Sequence, residues 1–223
     1  MRAKLSVVMP TLNAGTGLAR SLPALMEGLE AGLIRELVIS DGGSTDDTVE
    51  IAQSVGAKVI TGPASRGGQL RRGAEAATGE VFLFLHADTV LPHGWSDAVM
   101  DHLHHGQPAY FHLRFDAAGL APAWVAGWAN LRSRVFHLPY GDQGLLISRA
   151  DYDAVGGFAD IPLMEDVAMA RTLRRRLVPL PCAVTTSFAR YRRDGWLRRG
   201  ASNLGLLVRY LFGADPETLR TRY

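Results

Sequence analysis

The sequence predicts an α/β fold with a mostly parallel central sheet that carries helices on both faces. Short apolar runs that end in turn residues alternate with helical segments from Leu5 to Leu85, which is the rhythm of βαβ units. The runs are apolar at successive positions, as expected for strands that are buried on both faces. Since 47% of the 223 residues are hydrophobic, the chain can form one sizeable core, and we expect a single domain over 1–223.

The first half alternates strands and helices. Apolar residues at helical intervals, such as Leu18, Leu22 and Leu25, predict the helices, and apolar runs closed by turn residues predict the strands. In chain order we predict strand 5–9, helix 17–33, strand 37–40, helix 45–54, strand 57–60, helix 68–77 and strand 81–85. Ligands of such sheets bind at the carboxyl ends of the strands, so the loops that follow the strands should line one crevice.

The second half has a looser pattern. In chain order we predict helix 93–104, strand 110–115, helix 121–135, strand 144–148, helix 165–176, one or two strands within 177–187, and an amphipathic helix 197–212. Trp124, Trp128 and Phe136 fall at helical intervals, and core packing is the usual reason for such spacing. Aromatic rings also stack on the faces of sugars, so a binding role is the alternative.

Composition restricts the compartment and the kind of partner. Cys182 is the only cysteine, so an intrachain disulfide is excluded and a reducing compartment fits. The N-terminus lacks the features of a signal peptide, and no stretch approaches the roughly 18 to 20 apolar residues of a membrane-spanning helix. We expect a cytoplasmic protein; a peripheral position at the inner face of the membrane is the alternative.

The C-terminal segment is basic. Residues 171–223 carry 12 of the 24 Lys and Arg but 3 of the 22 Asp and Glu. Within it, 196–212 forms a basic amphipathic segment that could contact an anionic membrane, or cover the core or a dimer seam. The arginines at 190, 192 and 193 could reach a diphosphate. No nucleic-acid motif accompanies these residues, so no nucleic-acid partner is expected.

The stretch ELVISDGGSTDDT places Asp41 directly after a predicted strand. Two glycines follow, which allow close approach of a ligand to the backbone, and the carboxylate of Asp41 can accept hydrogen bonds from a base or a ribose. The alternative is a capped strand-to-helix turn, which Ser44 and Asp47 would explain without Asp41.

The stretch GEVFLFLHADTVLP delivers a second carboxylate, Asp88, to the same edge of the sheet. Carboxylate oxygens bind Mg²⁺ or Mn²⁺, and such an ion can neutralise the charge that builds up on a departing diphosphate. A turn-forming role is the usual alternative for an aspartate at this position.

Four motifs together resemble the family 2 glycosyltransferases, which have a GT-A fold. They are VVMPTLNA, SDGGSTDDT, FLHADT and PLMEDV, in this order from Val7 to Val167. The resemblance implies a Rossmann-like sheet, a nucleotide-sugar donor with uridine as the commonest base, and inversion at the anomeric carbon. It also implies a nucleotide-sugar-binding half over 1–92, an acceptor-binding half over 93–195, and the basic helix and tail over 196–223.

The resemblance also implies individual site residues. The expected nucleotide-sugar contacts are Pro10, Thr11, Asn13, Asp41, Gly43, Arg66, Ala87 and Asp88. Asp41 would read the base, and Asp88 would be the metal ligand as the last acid of a DxD motif. The first acid of that motif is replaced by His86, which could ligate Mn²⁺ or orient Asp88. We expect the carboxylates at 41, 88 and 166 to converge around one pocket.

An acidic pair supplies the expected catalytic group. Asp166 resembles the general base that deprotonates the acceptor hydroxyl, and Glu165 would shape the site beside it. The alternative is that both acids only favour the N-terminus of a helix. Asp142 and Gln143 could bind sugar hydroxyls of the donor or acceptor, although a tight turn explains them equally well.

Two rival functions were weighed against a glycosyltransferase. A nucleotidyltransferase would normally carry a Gly-rich, Lys-containing loop after the first strand, whereas this loop is PTLNAGTG. A non-catalytic sugar-nucleotide-binding protein would explain the histidine at 86. The QxxRW motif of processive synthases is absent, so we expect a non-processive enzyme. An acceptor carried on a lipid would suit the basic amphipathic segment.

Overall fold

The computed structural model describes residues 4–220, and these contain one sheet of seven strands. The strands are β1 (Leu5–Thr11), β2 (Ile34–Asp41), β3 (Lys58–Thr61), β4 (Val81–Phe84), β5 (Ala109–Phe115), β6 (Leu145–Ser148) and β7 (Val178–Thr186). Their order across the sheet is β3-β2-β1-β4-β6-β5-β7. Only β6 runs antiparallel to its neighbours, so the prediction of a mostly parallel sheet is confirmed.

Helices cover both faces of this sheet. They are α1 (Gly15–Glu30), α2 (Thr48–Ser54), α3 (Arg66–Ala76), α4 (Trp95–Leu103), α5 (Leu120–Phe136), α6 (Arg149–Ala154), α7 (Glu165–Leu173), α8 (Ala189–Asp194), α9 (Trp196–Leu211) and α10 (Pro216–Arg220). The short helices α6, α8 and α10 were not predicted. The helix predicted over 165–176 ends early because Arg174 has a φ of 42°, which breaks the helical path.

Alternating side chains of the central strands pack into two apolar layers. Val7 and Met9 point to the layer that α1, α2 and α4 cover, whereas Val8 points to the layer of α3, α6 and α7. This two-sided burial is the reason why the strands appear as continuous apolar runs in the sequence. A third cluster joins Leu206 and Leu207 of α9 to the N-terminal end of α7.

The interpretation of the aromatic residues on α5 as core residues is wrong. Trp124 is 60% exposed, Trp128 42% and Phe136 60%. The apolar stripe of α9 is also exposed, since Leu197, Leu204, Val208 and Leu211 are 42–64% exposed. Helical spacing identifies an apolar face, but it does not say whether another element covers that face.

Within residues 4–220, no helix is both long enough and apolar enough to cross a membrane.

Candidate active site

The parallel strands deliver the predicted polar residues to one edge of the sheet. Thr11 is the last residue of β1, Asp41 is the last residue of β2, and the two residues are register partners. His86 and Asp88 lie in the turn that follows β4. The alternation of strands and helices therefore brings motifs that are distant in sequence close together in space.

The carboxylate of Asp41 is buried, and both of its oxygens accept hydrogen bonds from neighbouring residues. One oxygen accepts hydrogen bonds from the hydroxyls of Thr11 and Ser44, and the other accepts them from the backbone N–H groups of Gly43 and Ser44. Burial acts to raise the pKa of Asp41, but the hydrogen bonds from Ser44, Thr11 and Gly43 outweigh it and hold the pKa below its usual value. Asp41 thus shapes the loop that a nucleotide would meet.

The loops after β1 and β2 are joined by side-chain hydrogen bonds. Asn13 has a φ of 48°, and its side-chain oxygen accepts a hydrogen bond of 2.9 Å from the backbone N–H of Thr45. Gly43 has a φ of 94°, a conformation that a side chain would disfavour. The two loops therefore form one rigid wall.

Gln69 on α3 was not identified from the sequence. Its buried side-chain amide donates to the carbonyl oxygens of Thr11 at 2.7 Å and Ser40 at 2.9 Å. These bonds connect the carboxyl ends of β1 and β2 to the helix beneath them. No local sequence pattern identifies this residue, since its partners come from two other elements.

The turn that carries Asp88 is held from α1. The hydroxyl of Ser21 donates to the carbonyl oxygen of Ala87 at 2.7 Å, and a Cβ on Gly17 would lie 3.2 Å from the same oxygen. Within residues 4–220, the Asp88 carboxylate has no hydrogen bond or ion pair. A carboxylate whose backbone is fixed but whose oxygens are unpaired is suited to bind a cation.

His86 lies at the junction of this turn with the following loops. Desolvation and then the positive charge of Arg66 lower the pKa of His86 to about 4, despite the carboxylates of Asp88 and Asp166. A Cβ on Gly141 would lie 2.4 Å from its Nε2 atom, so glycine permits the 141–143 turn to pack on the ring. The imidazole is therefore neutral at physiological pH and can act as a ligand or a hydrogen-bond partner.

Asp166 is the second residue of helix α7 and borders the same space as Asp88. Its Oδ2 atom accepts a hydrogen bond of 2.8 Å from the N–H of Gly141, and its Oδ1 atom accepts one of 2.7 Å from the N–H of Val167. Met164, the residue before the helix, has a φ of 67°, which turns the chain sharply into the helix. The carboxylate is thereby fixed in orientation while it still borders a cavity.

The side chain of Glu165, next to Asp166 in the sequence, is buried inside the protein. It is 1% exposed, and neither carboxyl oxygen has a hydrogen-bond partner among the described residues. Its nearest cation is Arg66, at 3.8 Å. Burial and then the negative charge of Asp166 raise the pKa of Glu165 to about 8, although Arg66 opposes the shift.

Asp142 and Gln143, the two residues of the 141–143 turn that were predicted to bind a sugar, have different environments. Asp142 borders a cavity, its Oδ1 atom is buried without a partner, and burial raises its pKa to about 6 despite Arg132. Gln143 is fully buried. Its side-chain oxygen accepts a hydrogen bond of 2.6 Å from the hydroxyl of Ser133, and its side-chain N–H donates one of 3.1 Å to the carbonyl oxygen of Phe111. This burial contradicts the prediction that Gln143 binds sugar hydroxyls, because its polar atoms are used inside the fold.

Two adjoining cavities lie along this edge of the sheet. The loop cavity, of about 620 Å³, is lined mainly by the loops after β1 and β4 and the start of α3; the predicted residues that line it are Pro10, Thr11, Asn13, Arg66, Ala87 and Asp88. The acid cavity is lined by the acidic side chains of Asp88, Asp142 and Asp166. Both cavities share Arg66, His86, Asp88 and Arg190, so they are continuous.

The expectation that three carboxylates meet in one pocket is therefore correct for two of them. Asp88 and Asp166 line the acid cavity, whereas Asp41 and Gly43 line neither cavity and lie behind Thr11. Of the three arginines expected near a diphosphate, Arg190 lines both cavities, and Arg192 and Arg193 line neither. Arg193 instead pairs with Asp194 at 2.7 Å.

The donor set fits a divalent cation only in combination with a ligand. Within residues 4–220, no three His, Cys, Asp or Glu side chains are grouped closely enough to hold a metal ion alone. The unpaired carboxylate of Asp88 and the neutral ring of His86 supply two donors beside a large cavity. Mg²⁺ and Mn²⁺ are often held by one or two carboxylates together with substrate phosphates, so this set is compatible with such an ion.

The chain matches the family model for glycosyl transferase family 2 over residues 6–157. An uncharacterized glycosyltransferase of Mycobacterium bovis is 34% identical over 122 residues, which are 54% of this chain and 53% of that protein. A glucosyl-3-phosphoglycerate synthase of Mycolicibacterium smegmatis is 34% identical over 96 residues, which are 39% of this chain and 31% of that protein. The match therefore spans about half or less of each of these relatives.

Solved structures of glycosyltransferases share the fold. The mannosyltransferase PcManGT of Pyrobaculum calidifontis, in complex with GDP-Man and Mn²⁺, aligns with a TM-score of 0.67 and 17% identity over 97% of this chain and 67% of its own. TarS of S. aureus aligns with a TM-score of 0.65 and 18% identity over 82% of this chain and 60% of its own. With most of its length matched by the family model and this fold beneath its motifs, the chain belongs to glycosyl transferase family 2 and has the GT-A fold.

Proposed function

We propose that this protein moves a sugar from a nucleotide-sugar donor to an acceptor hydroxyl with inversion at the anomeric carbon. The default donor is a UDP-sugar. The observation that carries the proposal is the continuity of the loop cavity with the acid cavity through Asp88. A diphosphate between the two cavities would have the nucleoside on one side and the carboxylate of Asp166 on the other.

The loop cavity is the proposed donor site. Its volume of about 620 Å³ lies in the range of ordinary ligand pockets. Asp88 and His86 would hold a divalent ion together with the diphosphate, and such an ion, when bound, stabilises the negative charge of the leaving nucleoside diphosphate. The glucosyl-3-phosphoglycerate synthase of Mycobacterium tuberculosis was crystallised with Mn²⁺ and UDP, which supports this donor and this metal.

Asp166 is the proposed general base. The acceptor oxygen would attack the anomeric carbon, the bond from that carbon to the diphosphate oxygen would break, and the acceptor proton would pass to Asp166. The hydrogen bonds from Gly141 and Val167 fix the carboxylate for this transfer. Glu165 contributes by position, since it is buried beneath Asp166 and does not line the acid cavity.

This arrangement supports the assignment of donor binding and acceptor binding to different segments of the chain. Residues 1–92 would bind the donor, 93–195 would supply most of the acceptor side, and 196–223 would add a helix beside it. Arg190 and Arg220 also line the loop cavity, so the donor site would include side chains from the C-terminal third. We also propose a cytoplasmic location, with 196–212 as the segment that could contact the inner face of the membrane.

The test compares two single variants with a control. With a UDP-sugar panel and Mn²⁺, Asp88→Ala should lose the metal-dependent rise in melting temperature that a bound donor produces. Asp166→Asn should keep that rise but release UDP about 10²- to 10⁴-fold more slowly, as expected for loss of a general base. Asp101→Asn, which changes an exposed carboxylate on α4, should behave like the wild type.

Other outcomes would identify the rival functions. Release of pyrophosphate from a nucleoside triphosphate would identify a nucleotidyltransferase. Donor binding without turnover at any metal concentration would identify a non-catalytic binding protein. Equal turnover in Asp166→Asn and the wild type would exclude Asp166 as the base.

A further inference from the structure

An apolar groove adjoins the acid cavity and shares no lining residue with the loop cavity. It lies between α5 and α9, has a volume of about 390 Å³, and is lined by residues that include Trp124, Trp128, Trp196 and Leu204. Trp124 and Trp196 meet across it with ring centroids 5.7 Å apart. The proposed reaction on a sugar nucleotide does not use this groove, so its lining requires another explanation.

The inner end of the groove is polar and belongs to the acid cavity as well. Tyr140, Asp142, Tyr191 and Asn203 line both spaces. The Oδ1 atom of Asp142 is buried there without a hydrogen-bond partner among the described residues. A buried carboxylate oxygen without a partner is costly, and a hydroxyl or another donor from a ligand would satisfy it.

The two helices that form the groove also carry exposed apolar residues. Leu197 and Leu204 line the groove itself and are 64% and 46% exposed. Leu120, the first residue of α5, is 92% exposed, and Phe212, which follows α9, is 89% exposed. Arg134, Arg198 and Arg209 are exposed on the same two helices. An exposed apolar surface with adjacent cations is complementary to an amphiphile that has an apolar chain and an anionic or polar group.

We infer that the acceptor is an amphiphile whose hydrocarbon chain occupies the groove between α5 and α9, while its polar end reaches Asp142 and Asp166. The inference rests on the proposed transfer reaction, since it assigns the class of acceptor for that same site. The observation that carries the inference is geometric: the apolar groove shares its polar end with the acid cavity, and the proposed base, Asp166, lines that cavity.

The dependence of binding on the length of a ligand's alkyl chain tests the inference directly. The probe is a series of 1-O-n-alkyl glycerols, whose hydroxyls can donate to a carboxylate, measured below their critical micelle concentrations. Three of the four tryptophans line the groove, so tryptophan fluorescence reports its occupation. Each added methylene should tighten binding about fourfold until the chain fills the groove, because the burial of one methylene has that effect on an equilibrium constant.

Two glycines of α9 provide matched variants. A Cβ on either Gly200 or Gly205 would meet nothing within 4 Å, but only Gly200 lines the groove. Gly200→Leu should abolish the dependence on chain length, whereas Gly205→Leu should retain it. Neither variant should melt below the wild type, because leucine favours a helix more than glycine does.

Three results would overturn the inference. These are no tightening with chain length in the wild type, equal loss of binding in both glycine variants, and a stable dimer whose dissociation is required before the alkyl probe binds. The donor measurement separates this inference from the proposed function. Donor binding without alkyl binding refutes the groove assignment alone, and alkyl binding without donor binding refutes the proposed transfer reaction.

Discussion

The carboxyl group of Glu165 has the most unusual environment of any acid in the site. It is 1% exposed, its oxygens have no hydrogen-bond partner among the described residues, and its pKa is raised to about 8. The unfolded chain has the ordinary value of 4.5. Between these two values the folded protein keeps a proton that the unfolded chain has lost, so the stability contributed by the protonated group falls as the pH rises from 4.5 to about 8.

Glu165→Gln tests this linkage, since glutamine resembles the protonated acid in shape and charge. We expect the variant to match the wild type near pH 5 and to exceed its free energy of unfolding by a few kcal/mol near pH 8, because one pKa unit corresponds to about 1.4 kcal/mol. Denaturant unfolding across this pH range measures the difference. Glu75→Gln, the same change at an exposed site on α3, should not alter the pH dependence; a parallel fall of stability in both variants would contradict the assignment.

At the scale of single residues, the sequence indicated which acids belong to the site, but not which polar side chains are buried or already hydrogen-bonded. Asp88 and Asp166 were predicted to face a common space, and both line the acid cavity. The burial of Gln143 and the hydrogen bonds that occupy Asp41 were not predicted. Both depend on neighbours about 30 residues away or on other elements, and no local pattern encodes them.

Among the elements, the start of α3 makes a tight backbone contact that affects the site. A Cβ on Gly67 would lie 2.0 Å from the carbonyl oxygen of Ala159, and the N–H of Gly67 donates to the carbonyl oxygen of Ile161 at 3.1 Å. This contact fixes Arg66 beside the segment that leads into α7. Only glycine allows the helix and that segment to approach so closely.

Gly67→Ala should therefore lower the free energy of unfolding by about 1 to 3 kcal/mol, the usual cost of forcing an extra methyl group into a packed contact. Gly127→Ala is the matched change within α5, where a Cβ meets nothing within 4 Å. It should stabilise the protein by about 0.5 to 1 kcal/mol, since alanine favours a helix more than glycine does. Thermal unfolding of the two variants gives the comparison, and a melting temperature of Gly67→Ala at or above that of the wild type would rule out a tight contact.

Across the whole molecule, the C-terminal third returns to the site that the N-terminal strands form. Arg190 is exposed on α8 and lines both the loop cavity and the acid cavity. Its charge reaches His86, where it acts with Arg66 to lower the pKa of the imidazole. A cation between the two cavities is placed to meet the diphosphate of the proposed donor.

Arg190→Ala should weaken the binding of UDP by at least about tenfold, since hydrogen bonds to charged groups contribute about 1.5 to 3 kcal/mol. Arg192→Ala removes the same charge two residues away, where the side chain lines neither cavity, and should change the affinity little. Calorimetric titration with UDP and Mn²⁺ gives both dissociation constants. Similar losses in the two variants would indicate a general effect of charge rather than a contact with the diphosphate.

The sequence by itself determined the α/β fold, the nearly parallel sheet and the family, because buried strands, helical periodicity and short motifs are local patterns. Only the tertiary structure decided which side chains border a cavity and which have their polar atoms hydrogen-bonded inside the protein. It also decided that the apolar faces of α5 and α9 remain exposed around a groove. The physical reason is that periodicity determines which face of an element is apolar, whereas burial and pKa depend on what the rest of the chain places against that face.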